Sequence, residues 1–206
     1  PKGFKSQSPS LKLDAVEGQI AALKSPATNV RHVAFTKLKE QGKAAIRPVS
    51  AVMESSNSYI AARAVWLLAQ LGEQGTQSVR VWLESEEASK RLVGLRALRA
   101  ANADLIDLLS TMSHDESPAV RREVAVAMRD VPLAQSKNIL VELAKRYDGK
   151  DRSYLEAFGI GCDGKEADIW VALKKILDGD AMAWSDKFAN LTWRLHPTAA
   201  VADVQQ

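Results

Sequence analysis

The side chains able to do chemistry are few, and they do not cluster. His32, His114 and His196 are the three histidines, and Cys162 is the single cysteine. A structural zinc site takes four such ligands converging on one ion, and these four lie in different parts of the chain. Cys162 has no partner cysteine for a disulfide within the chain. A nucleophilic role would need a histidine or cation to lower its thiol pKa, and no histidine is near in sequence, so it reads as a small buried or loop cysteine. Asp163 and Glu166 offer two carboxylates three residues apart, the raw material of an acid–base pair. Nothing around them holds a substrate. The sequence therefore supports no catalytic, cofactor-binding or metal-ligating residues, no cofactor and no enzyme activity.

Residues suited to contact stand out instead. Arg31, Arg91 and Arg121 recur at spacings that are multiples of 30 residues. A ladder of arginines can grip phosphates. It can also tie neighbouring elements together through carbonyls and carboxylates. Residues 86–132 hold seven basic and eight acidic residues, so the field there is nearly neutral. Nucleic-acid binding needs many unopposed positive charges, and is disfavoured. Asp148, Lys150, Asp151 and Arg152 form a polar turn whose opposite charges should order a loop, with docking of a neighbouring domain as its functional reading. Of the five tryptophans, Trp66, Trp170 and Trp184 fall on apolar helical faces and are expected in the core, while Trp82 and Trp193 are candidates for exposed contact anchors. The candidate interaction residues are thus Trp82, Arg91, Arg121, Asp148, Lys150, Asp151 and Arg152.

The elements that position them follow from a repeat. Val30, Ile60, Lys90 and Val120 are 30 residues apart, and small or branched residues stand four positions on, at Ala34, Ala64, Gly94 and Val124. Leu38, Leu68, Leu98 and Met128 follow after four more, then the helix-stopping residues Gly42, Gly72, Asn102 and Pro132. A fixed period with helix-length units marks a solenoid, in which each unit buries its apolar face only against its neighbours. The pattern predicts first helices of successive pairs over 29–41, 59–71 and 87–101, within 116–130 (a turn, then a helix capped by Ser117 with Pro118 at its first position) and from 150, and second helices over 43–54, 77–83, 103–113, 133–147 and 166–178. A preceding helix is expected over 11–24, and a last one carries Trp184, Phe188, Leu191 and Leu195. Gly94 inside a helix implies a close approach, and Gly159, Gly161 and Gly164 imply that the fifth pair's first helix is short. The expected fold is all-α, a right-handed α-solenoid of about five helix pairs (an α-α superhelix) over residues 11–196. Residues 1–10 and 197–206 read as tails or linker.

Bulk properties agree with a folded chain: 46% of the 206 residues are hydrophobic and 26% are charged. The net charge of +3 is uneven, because residues 1–47 carry nine Lys/Arg against three Asp/Glu. No apolar run is long enough to span a bilayer. The opening Pro1-Lys2-Gly3 fits a segment excised from a longer chain.

Ser117-Pro118-Ala119-Val120-Arg121-Arg122-Glu123-Val124 and the stretch from Ile60 to Gly72 resemble the short HEAT-like repeat of bilin-lyase-type proteins, over most of residues 25–180. The stretch Tyr147-Asp148-Gly149-Lys150-Asp151-Arg152-Ser153-Tyr154-Leu155-Glu156-Ala157-Phe158-Gly159-Ile160-Gly161 resembles a segment of large bacterial secreted proteins of the membrane-bound dehydrogenase type. Those join a sugar-dehydrogenase-like β-propeller, a HEAT array and a c-type cytochrome domain, with the array as connector. This chain has no Cys-x-x-Cys-His for haem attachment and no propeller sequence. The resemblance implies a non-catalytic scaffold for protein–protein or interdomain contacts, in a periplasmic or secreted setting. The repeat type also leaves open a tetrapyrrole-handling, lyase-like protein, and a HEAT-like nucleic-acid binder is the third alternative.

Overall fold

The computed structural model describes residues 10–101, 104–176 and 181–204. Among them every regular element is helical and no strand occurs. The expected tail over residues 1–9, and Leu177 on the second helix of the fifth pair, lie outside the described residues.

The chain divides into two compact units. The first holds α1 (Val16–Leu23), α2 (Thr28–Glu40), α3 (Lys43–Met53), α4 (Ser58–Leu68), α5 (Gly72–Arg80) and a 3-10 turn over Val81–Glu84, with the later part of α6 (Ala88–Ala100). The second holds the start of α6, then α7 (Ile106–Met112), α8 (Pro118–Ala127), α9 (Leu133–Lys145), α10 (Arg152–Gly161), α11 (Glu166–Lys174), α12 (Asp186–Leu195) and α13 (Thr198–Val204). Within the first unit α1, α3 and α5 lie side by side. Within the second, α7, α9 and α11 form one such row and α8, α10 and α12 another. Packing of every second helix is what paired helices produce when each pair leans on the next.

The repeat positions explain the cores. Ala34, Ala64 and Val124 are fully buried, as are Leu38, Leu68, Leu98 and Met128. Of the residues that open the units, Val30, Ile60 and Lys90 are half-buried and Val120 is fully buried. Tyr154 and Phe158 stand in the same slots one period later and are also buried. Gly42, just before α3, and Gly72, the first residue of α5, have φ of 57° and 76°, a region open to glycine at no steric cost.

Several boundaries differ from the sequence reading. α1 begins at Val16, and α4 ends at Leu68. Gly72 does not merely stop α4 but opens α5, so the second helix of that pair starts earlier than expected and ends in a 3-10 turn. α10 runs through Gly159 and ends at Gly161, a helix of 10 residues, short as the glycines implied. A Cβ at Gly161 would strike the carbonyl oxygen of Ala125 on α8, so this glycine also allows helix–helix approach. Gly94 acts similarly: its Cβ would lie 3.1 Å from Leu83 and 3.4 Å from Trp82. Beyond Pro197, where a tail was expected, Thr198–Val204 is helical and Ala200 is buried.

Candidate interaction surface

The arginines of the repeat are latches. Arg121, in the first turns of α8, donates through Nη1 to the carbonyls of Asp115 (2.6 Å) and Glu116 (2.9 Å), closing the loop before its own helix. Arg31 on α2 does the same with Ser25 (3.1 Å) and Pro26. The two sets are 90 residues apart in sequence at every member. Arg121 also lies over the Tyr154 ring, 5.4 Å from its centroid. Arg91 forks onto Asp115, with Nε 2.7 Å from Oδ2 and Nη2 2.8 Å from Oδ1. Burial alone would raise the Asp115 carboxyl, but the Arg91 hydrogen bonds and the Ser117 N–H outweigh it and hold it below the usual carboxylate range. Arg91 is held above its own ordinary value, first by that hydrogen bond. These side chains are spent inside the protein, on the carbonyl and carboxylate contacts weighed against a phosphate ladder.

The polar turn is ordered differently from the expectation. Asp148 does not pair with its charged neighbours; its Oδ1 accepts from the N–H groups of Lys150 and Asp151, each at 2.8 Å. Asp151 caps α10 through the Tyr154 N–H (3.0 Å) and reaches Arg122 on α8 at 3.4 Å. Arg152 binds Glu156 at 2.6 Å and covers the Trp193 ring, 5.1 Å from its centroid. Asp148, Lys150 and Arg152 are exposed, and Asp151 is half-buried.

Two tryptophan expectations are corrected. Trp82 is only 8% exposed; its 3-10 turn packs under Gly94, so it is a core residue and not a surface anchor. Trp66, expected inside, is 36% exposed. α4 is apolar nearly all round, so its sequence did not say which face turns outward. Trp170 is buried and Trp193 exposed, both as read. Cys162 is fully buried, and burial pushes its thiol well above the ordinary range. The three histidines are exposed, and among the described residues no group of three or more His, Cys, Asp or Glu could hold a metal ion. Asp163 pairs with Arg129 at 3.5 Å and the Glu166 carboxylate accepts from the Gly164 N–H at 3.0 Å, so neither faces the other as a catalytic pair.

Two features escaped the sequence reading. Lys165 is buried and donates through Nζ to the carbonyls of Met128 (2.7 Å), Arg129 (2.9 Å) and Gly161 (3.0 Å), filling acceptors left open near the ends of α8 and α10. Nothing in the local pattern marked it. The second is an open groove of about 470 Å³ in the first unit, walled by α2 and α4. Arg31, His32 and Phe35 face Tyr59, Arg63 and Trp66 across it. Both helices contribute residues at i, i+3, i+4 and i+7 spacing, one face of each. Tyr59 is 79% exposed. This spacing was visible in the sequence, but Trp66 had been assigned to the core. A second groove, of about 540 Å³, lies against Trp193, His196 and Val201 of the other unit. Among the described residues the histidine is the only titratable one in that lining.

The chain matches no family model, and no curated protein shows significant similarity to it. No described helix is long and apolar enough to cross a membrane.

Proposed function

We propose that this protein is a non-catalytic interaction scaffold, a HEAT-like α-solenoid that spaces and orients protein partners or neighbouring domains. The observation that carries the reading is the packing of every second helix into rows within each unit. The matching loop latches of Arg31 and Arg121, at the repeat spacing, support it. The mechanism is geometric: stacked pairs hold side chains on a stiff surface, so a partner binds without first ordering that surface. The resemblance to the array of secreted dehydrogenase–cytochrome proteins suggests a connector in a larger redox chain, with the electron-transfer chemistry elsewhere.

Small-angle scattering tests the architecture. A compact chain of this length has a radius of gyration of about 17 Å; an extended array should exceed that by several ångströms. A value at the compact limit overturns the solenoid. Titration with haem and with a bilin tests the tetrapyrrole alternative, and the scaffold reading expects neither absorption spectrum to shift.

A further inference from the structure

We propose that the groove between α2 and α4 binds an acidic amphipathic peptide segment of another protein, with a carboxylate on Arg63 and an apolar side chain between Tyr59 and Trp66. The inference rests on the scaffold reading, in that the occupant is taken to be a protein.

Charge selects the occupant. Among the described residues the lining holds two arginines and one histidine, and no carboxylate. Arg63 spends only Nη1, on the carbonyls of Leu23 and Ser25, each at 3.2 Å. Its Nε and Nη2 have no hydrogen-bond partner among the described residues. Those two N–H groups are parallel donors in a rigid plane, the geometry a carboxylate meets with two bonds at once. Burial and the nearby charge of Arg31 both disfavour the charged form of Arg63, and an incoming anion relieves the second of these. Fixing the guanidinium beforehand, through Leu23 and Ser25, also lowers the entropy lost on binding.

The apolar half of the recognition comes from the aromatics. Phe35 is half-buried at the groove, while Tyr59 and Trp66 stand one above the other on α4, Tyr59 mostly exposed and Trp66 about a third exposed. Tyrosine, tryptophan and arginine are the residues that dominate binding energy at protein interfaces. The groove also begins at the first turns of both helices, at Thr28 and Tyr59, where helix dipoles favour negative charge. A peptide carrying acids along one flank and aliphatic or aromatic side chains along the other matches both halves. A basic or uniformly polar segment matches neither.

The test uses the full chain and two capped, fluorescein-labelled amphipathic peptides. One has leucine and phenylalanine on one face with flanking glutamates; the other carries lysine at each glutamate. Fluorescence anisotropy should show the acidic peptide binding at least about tenfold tighter than the basic one, with the gap narrowing as salt rises. Trp66→Ser should weaken it by about tenfold. Arg63→Lys, which keeps the charge but loses the fork, should weaken it by about three- to fivefold, and Arg63→Gln by more. Thermal melts of each variant separate lost binding from lost folding, and Trp66→Ser, at an exposed position, keeps the test open if the arginine variants unfold. Equal binding of the two peptides, or binding indifferent to Trp66→Ser, overturns the proposal. So does a Trp66-dependent dimer of the chain at the assay concentration, which would make a second copy the occupant. An extended particle with no peptide binding sinks the groove and leaves the scaffold. A compact particle that binds the acidic peptide through Arg63 does the reverse.

Discussion

Asp115 shows how one carboxylate holds several segments. It accepts the fork of Arg91 from α6 and the N–H of Ser117 ahead of α8, while its own carbonyl takes Arg121. Asp115→Ala leaves a largely buried guanidinium without its anion and should cost about 2–3 kcal/mol in chemical denaturation. The pH dependence has a definite sign. The folded carboxyl titrates below its unfolded value, so its stabilisation is whole above about pH 4 and is lost as pH falls through the lowered folded pKa. The difference in melting temperature between wild type and Asp115→Asn should therefore hold constant near neutrality and shrink on acidification; a difference that grows with acid would contradict the pairing. Cys162 gives a second check. A fully buried thiol with a raised pKa should ignore a water-soluble disulfide reagent at about pH 8 and react only after unfolding. The absence of an activating neighbour argued against a reactive thiol but left open whether it was buried or in a loop. The demotion of Trp82 was not expected, because a residue in a short 3-10 turn carries no helical face to read.

The helices themselves were largely legible, since a recurring pattern with period near 3.6 specifies a buried stripe whatever lies outside it. Their ends were less so. Glycine reads as a stop signal, yet Gly159 sits inside α10 and Gly161 closes it, and something passes close to both. The two differ in what they meet. A Cβ at Gly161 strikes the backbone of α8, which cannot give way, whereas one at Gly159 strikes the tip of the Arg194 side chain. Gly161→Ala should destabilise by about 2–3 kcal/mol and Gly159→Ala by clearly less, read as the shift in denaturant midpoint. In the second variant Arg194 should leave its 2.9 Å pairing with Glu156. Equal losses would mean that α8 and α10 do not approach as described. Pro197 misled in the same way: it ends one helix, but the chain turns through His196 at φ 48° and a further helix starts.

For the whole molecule, the scattering experiment is the decisive prediction, because helices lying in rows within each unit should extend the particle if the same step is repeated throughout. A repeat is readable from sequence since it is a statement about self-similarity, and needs no knowledge of what touches what. The chain alone therefore determined the all-helical class, the thirty-residue period and the buried slots from Ala34 to Phe158. The contact surface was a different matter. The sequence pointed to Arg91, Arg121 and the turn around Asp148, where charges are conspicuous, but folding spends most of those groups on carbonyls, carboxylates and backbone N–H groups. What stays open is the face of α4 that carries Tyr59, Arg63 and Trp66. α4 is apolar on most sides, so Arg63 alone marked its outward face only weakly, and the packing of its neighbours decided which of its side chains meet water.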